Sequence, residues 1–254
     1  MIPPVNQMTP ITPWPLDSRL TEAVILGGSF DPPHLGHVQL ARAARDAFAP
    51  DAGLVFVPAH RSPFKAAGSS ATSPSDRAAM LRLAIRGLHD SAVWTDEVDR
   101  GLHDPIAPSY TIDTLLRARA AGARRLWLML GGDQIVQFHR WRDPRRILDL
   151  AQPIVLLRPP LTAVGELRDS LLAVPGPERA DGPALNVGGC TRFWTDAEVD
   201  ALCTSTLPID PALAPVSSSE IRRTIMTRGV QAVPTGWLNP EVADFITSHG
   251  LYQP

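Results

Sequence analysis

The sequence predicts an α/β fold in which a doubly wound parallel sheet carries helices on both faces. Short apolar runs typical of buried strands alternate along the chain with helical patterns, and this alternation is typical of parallel sheets covered on both sides. The composition agrees, because 44% apolar and 20% charged residues in a chain of 254 exclude general disorder and allow a large core. We therefore expect ligands to bind beyond the carboxyl ends of the strands, in the loops after Gly28, Pro58 and Leu130.

Each element is predicted from its local pattern. Short apolar runs predict strands at 23–28, 54–58, 92–95, 125–130 and 153–157. Apolar residues at helical spacing predict helices at 36–48, 75–88, 109–121, 134–139 and 144–150, with Ser109 capping the third. The segment S-S-S-E at 217–220 predicts a capping box before a helix to Arg228, and another helix is predicted at 240–249. Residues 159–215 show no sustained period and receive no assignment.

Composition and charge limit the classes of protein and partner. The prolines that crowd the first fifteen residues indicate a flexible Pro-rich tail over residues 1–20, and residues 21–254 are expected to form a single domain. A net charge of −2 argues against nucleic acid or a membrane as partner, and no apolar run is long enough to span a bilayer. Two cysteines and no secretory signal indicate a cytoplasmic protein. The oligomeric state stays open, a homo-oligomer included.

The segment G-G-S-F-D-P-P-H-L-G-H at 27–37 carries the most chemistry. Its glycine pair follows a predicted strand and lets a ligand approach the backbone, and the helix that begins near Gly36 directs N–H groups into the same loop. His34 and His37 are three residues apart and can both donate to one bound anion. These features predict a phosphate site; the alternative is a tight turn with two ordinary histidines. A metal pair would lack a nearby third ligand, and Ser29 lacks the surroundings of a nucleophile.

Two segments at opposite ends of the chain resemble the signatures of the nucleotidyltransferase superfamily. G-S-F-D-P-P-H-L-G-H at 28–37 is similar to its H-x-G-H loop, and V-S-S-S-E-I-R at 216–222 is similar to its second signature, I-S-S-T-x-I-R. S-Y-T-I-D-T-L at 109–115, L-G-G-D at 130–133 and Trp141 narrow the resemblance to the nicotinate-nucleotide adenylyltransferase family. It implies one Rossmann-like nucleotidyltransferase domain that transfers the adenylyl group of ATP to nicotinate mononucleotide. The products would be nicotinate adenine dinucleotide and pyrophosphate, a step of NAD biosynthesis.

The resemblance also implies the residues that bind ATP. His34, His37, Arg222 and Lys65 would be the catalytic residues, with His37 nearest the α-phosphate and Arg222 on the β and γ phosphates. Lys65, the only lysine of the chain, would place a compact charge on a phosphate. The other residues implied in ATP binding are Gly28, Ser29, Phe30, Asp133, Ser217, Ser218 and Ile221.

For nicotinate mononucleotide the resemblance implies Ser29, Lys65, Thr111, Trp141 and Arg142. The nicotinate ring would stack on Trp141, and its carboxylate would accept N–H groups at the start of the helix that contains Thr111. Arg142 stands where the family often has an aromatic residue, so it can add a cation beside the carboxylate. The implied cofactor is Mg²⁺ held mainly by ATP phosphates, without a metal site of the protein's own.

Three alternatives remain at this point. Nicotinamide mononucleotide differs from the acid at one group, so it is an alternative acceptor. Pantetheine-phosphate adenylyltransferases share both signatures, although they lack the segment Y-T-I-D-T-L and the residue equivalent to Trp141. A regulatory module that binds nucleotide without turnover is the third alternative. The intact set of phosphate-binding residues argues against it, because binding alone does not need every one of them.

Overall fold

A computed structural model of the chain describes residues 12–63, 72–157, 160–176, 192–208 and 216–253. In these ranges six strands form one sheet in the order β3-β2-β1-β4-β5-β6, and every neighbouring pair is parallel. This is the strand order of the doubly wound, Rossmann-like fold, so the predicted fold class is confirmed. The strands are β1 (Glu22–Gly28), β2 (Gly53–Pro58), β3 (Ser91–Val93), β4 (Arg125–Gly131), β5 (Ala151–Leu157) and β6 (Thr206–Pro208).

Helices connect the strands and cover both faces of the sheet. Their bounds are α1 (Leu35–Phe48), α2 (Pro74–Ala84), α3 (Asp96–His103), α4 (Thr111–Ala120), α5 (Gly132–Val136), α6 (Pro144–Leu150), α7 (Val164–Leu172), α8 (Asp196–Thr204), α9 (Ser218–Arg228) and α10 (Pro240–Ser248). No helix among the described residues is both long enough and apolar enough to cross a membrane.

Alternation along the strands creates two buried clusters, one on each face of the sheet. The first cluster takes Ile25 and Leu128 from the strands and is covered by α4 to α8, for example by Leu115. The second cluster takes Val24 and Met129 and is covered by α1 and α2. Because neighbouring residues of one strand face opposite sides, both faces need apolar side chains, which explains the continuous apolar runs in the sequence.

A third cluster lies away from the sheet and joins α2, α9 and α10. Its buried residues are Met80, Ala84, Val216, Ile221, Ile225, Val242, Ile246 and Tyr252. Burial of these side chains holds α9 against α2, since each fully buried aliphatic side chain contributes roughly 1.5–3 kcal/mol. Helix α9, which carries the second signature, therefore packs in a hydrophobic cluster separate from the two clusters on the faces of the sheet.

Several predicted boundaries are wrong. The helix predicted at 75–88 ends at Ala84, and a turn with Gly87 at φ 84° follows it. Residues 159–215 contain α7, α8 and β6 in the described ranges, and α3 was not predicted. Residues 1–11 lie outside the described residues, so a tail there stays a prediction. The packed chain begins before residue 21, because Trp14 packs edge-on against Trp94 with ring centroids 4.9 Å apart.

Candidate active site

A cavity of about 830 Å³ opens at the carboxyl ends of the central strands. Its walls come from the loops after β1, β2 and β4 and from the first turns of α1, α4 and α9. The predicted loops after Gly28, Pro58 and Leu130 all contribute to it. The strand order reverses between β1 and β4, and a doubly wound sheet leaves a crevice at such a point.

The two histidines of the first signature begin α1. His34 is the N-cap residue and His37 occupies the third position of the helix. The backbone N–H of His34 donates to Nδ1 of His37 at 3.2 Å, and the two rings stack with centroids 3.7 Å apart. Because Nδ1 accepts this hydrogen bond, the proton of the neutral His37 ring lies on Nε2. Both residues line the cavity, so the predicted phosphate-binding pair faces the same space.

Phe30 shapes the turn between β1 and α1. Its backbone has φ 49°, in the left-handed region, and its ring is buried against Phe56 at 6.3 Å and against His37 at 5.0 Å between centroids. A Cβ atom on Gly28 would lie 3.2 Å from this ring, closer than ordinary van der Waals contact. Gly28 therefore has a packing reason to be glycine, besides letting a ligand approach the backbone.

The second signature meets the first one directly. Arg222 Nη1 donates to the carbonyl oxygen of Asp31 at 2.5 Å, and Ser218 Oγ donates to the carbonyl oxygen of Pro32 at 2.8 Å. Ser217, Ser218 and Arg222 also line the cavity. The N-termini of α1 and α9 thus border one space, and each supplies N–H donors and a positive dipole end. The convergence expected from the two motifs is present in the fold.

The predicted capping box at α9 is half correct. Ser217 is the N-cap residue, and its hydroxyl accepts from the N–H of Glu220 at 3.2 Å. The Glu220 carboxylate does not complete the box but pairs with Arg223 on the next turn. An exposed arginine three residues away offers a charged partner, which competes with the reach back to the helix start.

The end of the cavity beside α4 is lined by Thr111, Trp141 and Arg142, which were predicted to bind nicotinate mononucleotide, and also by Tyr110. Thr111 is the first residue of α4, so the helix N-terminus borders this end. The Arg142 guanidinium lies 4.8 Å from the centroid of the Tyr110 ring and 3.7 Å from a carboxylate oxygen of Asp113. Trp141 is partly buried and packs against Phe138. An aromatic surface and a cation therefore stand together at this end of the cavity.

Ser109 does not cap α4, contrary to the prediction, because Tyr110 occupies the N-cap position. The Ser109 hydroxyl instead accepts from the backbone N–H of His60 at 3.1 Å and hydrogen-bonds to Glu97. Glu97, on α3, also accepts from the Thr114 hydroxyl. Burial raises the pKa of the Glu97 carboxyl, an effect that these hydroxyl donors oppose. This network ties the loop after β2 to the start of α4.

Arg77 is a buried residue that sequence reasoning missed. From α2 its Nη1 donates to the carbonyl oxygen of Ser29 at 2.5 Å, and its Nη2 donates to that of Ala59 at 2.7 Å. Burial lowers the pKa of the Arg77 guanidinium. The side chain joins the loops after β1 and β2, two walls of the cavity. A signal was present, since an arginine three residues before Met80 lies on the predicted apolar side of the helix.

Three predicted site residues are absent from the described cavity wall: Ile221 and Asp133, predicted to bind ATP, and Lys65, predicted to be catalytic and to bind the mononucleotide. Ile221 is fully buried in the third cluster, and its side chain is not on the cavity wall. Asp133 lies in the first turn of α5, where Gly131 and Gln134 line the cavity in its place. Ile221 was assigned from its position in the motif, and Asp133 from its place after two glycines at a strand end as an acceptor for ribose hydroxyls. Neither argument fixes the direction of a side chain on a helix, and both assignments stay predictions. Lys65 lies outside the described residues, so its assignment stays a prediction.

This chain is similar to known proteins over most of its length. The cytidylyltransferase-like family model matches residues 25–224. The "Probable nicotinate-nucleotide adenylyltransferase" of Bordetella avium is 38% identical over 233 residues, which cover 91% of this chain and 97% of the relative. The protein of the same name from Roseiflexus castenholzii is 38% identical over 230 residues, covering 90% and 96%. The chain belongs to the nicotinate-nucleotide adenylyltransferase family.

Solved structures support the fold of this nicotinate-nucleotide adenylyltransferase family member. Plasmodium falciparum nicotinic acid mononucleotide adenylyltransferase, complexed with NaAD, superposes with a TM-score of 0.61 at 15% identity and covers 91% of this chain and 97% of that chain. The same enzyme complexed with APC gives a TM-score of 0.60.

In the part of the chain that the structure describes, no group of three or more His, Cys, Asp or Glu side chains could hold a metal ion.

Proposed function

We propose that this protein transfers the adenylyl group of ATP to nicotinate mononucleotide, giving nicotinate adenine dinucleotide and pyrophosphate for NAD biosynthesis. The observation that carries the proposal is the contact between the two signatures, in which Arg222 and Ser218 of α9 donate to the loop before α1. The N-termini of α1 and α9 border the same cavity as His34, His37 and Arg222, and this donor set suits a triphosphate. The family relatives carry the name of the same activity.

The reaction needs no protein nucleophile. An oxygen of the mononucleotide 5′-phosphate attacks the α-phosphorus of ATP, a P–O bond forms there, and the bond to the β-phosphate oxygen breaks to release pyrophosphate. Catalysis therefore consists of positioning and of stabilising charge on the phosphate oxygens. We assign His37 and His34 to the α-phosphate region and Arg222, Ser217 and Ser218 to the β and γ phosphates.

Mg²⁺ enters this proposal with ATP, as part of the substrate. Among the described residues the cavity wall offers backbone N–H groups, hydroxyls and cations, and its carboxylates, Asp31 and Glu97, belong to no group of three or more side chains that could hold a metal ion. This donor set fits a metal ion that phosphate oxygens and water coordinate. The ion would supply charge neutralisation on the leaving pyrophosphate. The hydrogen-bond donors of the protein would then orient the phosphate oxygens that the ion does not coordinate.

The direct test is pyrophosphate release by the purified protein with Mg-ATP and one acceptor at a time. We expect release with nicotinate mononucleotide, and slower release with nicotinamide mononucleotide, because N–H donors and Arg142 favour a carboxylate over an amide. Release with pantetheine phosphate alone would instead support the other superfamily activity. ATP binding without release for any acceptor would contradict the enzymatic proposal and favour a regulatory module.

Replacement of Trp141 tests the acceptor end of the cavity. We expect Trp141→Ala to raise the KM for nicotinate mononucleotide about tenfold or more, since stacking on an aromatic ring contributes about 1–3 kcal/mol per base. The KM for ATP should change less than threefold. Steady-state kinetics with each substrate varied in turn measures both values. An equal rise in both constants would place Trp141 in a structural role.

Replacement of Arg142 tests the choice between acid and amide. Arg142→Met keeps the aliphatic stem and removes the charge, so we expect kcat/KM for the acid to fall about tenfold, since a hydrogen bond to a charged group contributes about 1.5–3 kcal/mol. The amide should change less than threefold. Asp113→Asn is the matched control, because it removes the carboxylate that lies 3.7 Å from Arg142 and leaves the cation in place. Equal losses for acid and amide would contradict the assignment.

A further inference from the structure

Asp31 is a buried carboxylate in the loop between β1 and α1. It is 3% exposed. Its Oδ1 accepts two hydrogen bonds of 2.7 Å, one from the Tyr252 hydroxyl and one from the Thr72 hydroxyl. Neither donor belongs to the two signatures, and the mechanism above uses neither of them. Two hydroxyl donors on one oxygen fix the plane of the carboxyl group and, through it, the orientation of the residue.

The backbone of the same residue receives the arginine of the second signature. Arg222 donates to the Asp31 carbonyl oxygen at 2.5 Å, and the next carbonyl, that of Pro32, receives Ser218. The carboxylate of Asp31 is therefore held by the two hydroxyl groups, and its backbone carbonyl in turn holds Arg222. A rotation of the Asp31 backbone would move the acceptor that fixes the guanidinium.

Tyr252 is itself firmly placed. Its ring is buried in the third cluster with residues of α2, α9 and α10, and its backbone adopts φ 58° in the left-handed region. Burial is the main cause that raises the pKa of the Tyr252 hydroxyl above its usual value, so the group stays protonated and can donate throughout the physiological range. Tyr252 can therefore support Asp31, because packing fixes its ring and its hydroxyl is always able to donate.

We infer that Tyr252 is a positioning residue for the triphosphate site, acting through Asp31 on Arg222. The inference rests on the proposed role of Arg222 as a phosphate ligand. Tyr252 does not line the cavity, so it acts at one remove from the substrate. Without the Tyr252 hydroxyl, Oδ1 keeps the hydrogen bond from Thr72 but loses the one that joins it to the third cluster, so the Asp31 carbonyl is held less firmly.

The variant Tyr252→Phe keeps the ring in its cluster and removes only the hydroxyl. We expect the Kd for Mg-ATP alone, measured by titration calorimetry, to rise about tenfold, which corresponds to one misplaced charge-assisted hydrogen bond. The KM for nicotinate mononucleotide should change less than threefold. Asp31→Asn keeps an acceptor oxygen for both hydroxyls and should retain most of the ATP affinity, whereas Asp31→Ala should weaken ATP as Tyr252→Phe does.

A double-mutant cycle separates positioning from general destabilisation. In an Arg222→Ala background, Tyr252→Phe should change the Kd for Mg-ATP less than twofold, because the group that it positions is gone. Ile246→Val is the matched control, since it weakens the same cluster without touching Asp31 and should leave ATP affinity unchanged at a temperature well below Tm.

Three results would overturn the inference: an unchanged Kd in Tyr252→Phe, an equal effect in the presence and absence of Arg222, or an equal loss of affinity in Ile246→Val. If Tyr252→Phe does not fold, Thr72→Val removes the other hydroxyl donor and enters the same cycle. Protein that binds Mg-ATP but releases no pyrophosphate would contradict the proposed function alone, because the affinity cycle needs no turnover.

Discussion

Replacement of His37 by alanine is expected to lower kcat for adenylyl transfer by about 10²- to 10³-fold, the usual loss when one preorganised donor to a reacting oxygen is removed. His37 faces the cavity from the third position of α1, and its Nδ1 is engaged by His34, so Nε2 carries the donor proton. We expect Tm to fall by only a few degrees, because the ring lies at the cavity wall, where it stacks on His34 and packs edge-on against Phe30.

Pyrophosphate release under saturating substrates measures this effect, and a thermal melt checks the fold. His89→Ala is the control, since His89 is exposed and precedes β3, at the end of the sheet opposite the cavity. Unchanged turnover in His37→Ala would remove this residue from the phosphate site. A loss of turnover matched by a loss of the folded state would assign His37 a structural role instead.

Replacement of Arg77 by methionine is expected to cost about 3–5 kcal/mol of unfolding free energy. The buried guanidinium donates to the partly buried carbonyl groups of Ser29 and Ala59, and an acceptor left unsatisfied costs about 1–3 kcal/mol. Methionine fills much of the volume but offers no donor. For a domain of this size such a loss lowers Tm by roughly 10 °C.

Chemical denaturation of both forms measures this difference. Arg82→Met is the matched control on the same helix, because Arg82 is exposed and its replacement should change stability by less than about 0.5 kcal/mol. If Arg77→Met and Arg82→Met were equally stable, the buried guanidinium would not hold the two loops together.

Much of the fold could be predicted because buried strands leave a strong local signal. The run at 23–28 is apolar on both faces and ends in glycines, and β1 occupies it almost residue for residue. The site followed from the same logic, since parallel strands bring the loops at their carboxyl ends to one edge. His34 and Arg222, far apart in sequence, line one cavity there, because the sheet and the third cluster bring the N-terminus of α9 to the loop before α1.

The remaining features depend on partners that are distant in sequence. The start of α3 is acidic and resembles a solvated segment, yet Glu97 is buried because Thr114 and Ser109 supply hydroxyl donors. Ser109 is a residue type that often caps helices, but its hydroxyl accepts a hydrogen bond from the backbone N–H of His60, in the loop after β2, instead. Local patterns contain neither contact, since both form only when the tertiary structure assembles.

The separate cores beneath the two ends of the cavity have an evolutionary consequence. The second signature rests on the cluster of α2, α9 and α10, whereas Trp141 and Tyr110 rest on the cluster beneath α4 and α6. Under the proposed assignments, substitutions that change the affinity for the nucleoside triphosphate and substitutions that change the preferred acceptor therefore fall in different hydrophobic clusters. We therefore expect a lineage to accumulate substitutions in one cluster without disturbing the residues that rest on the other.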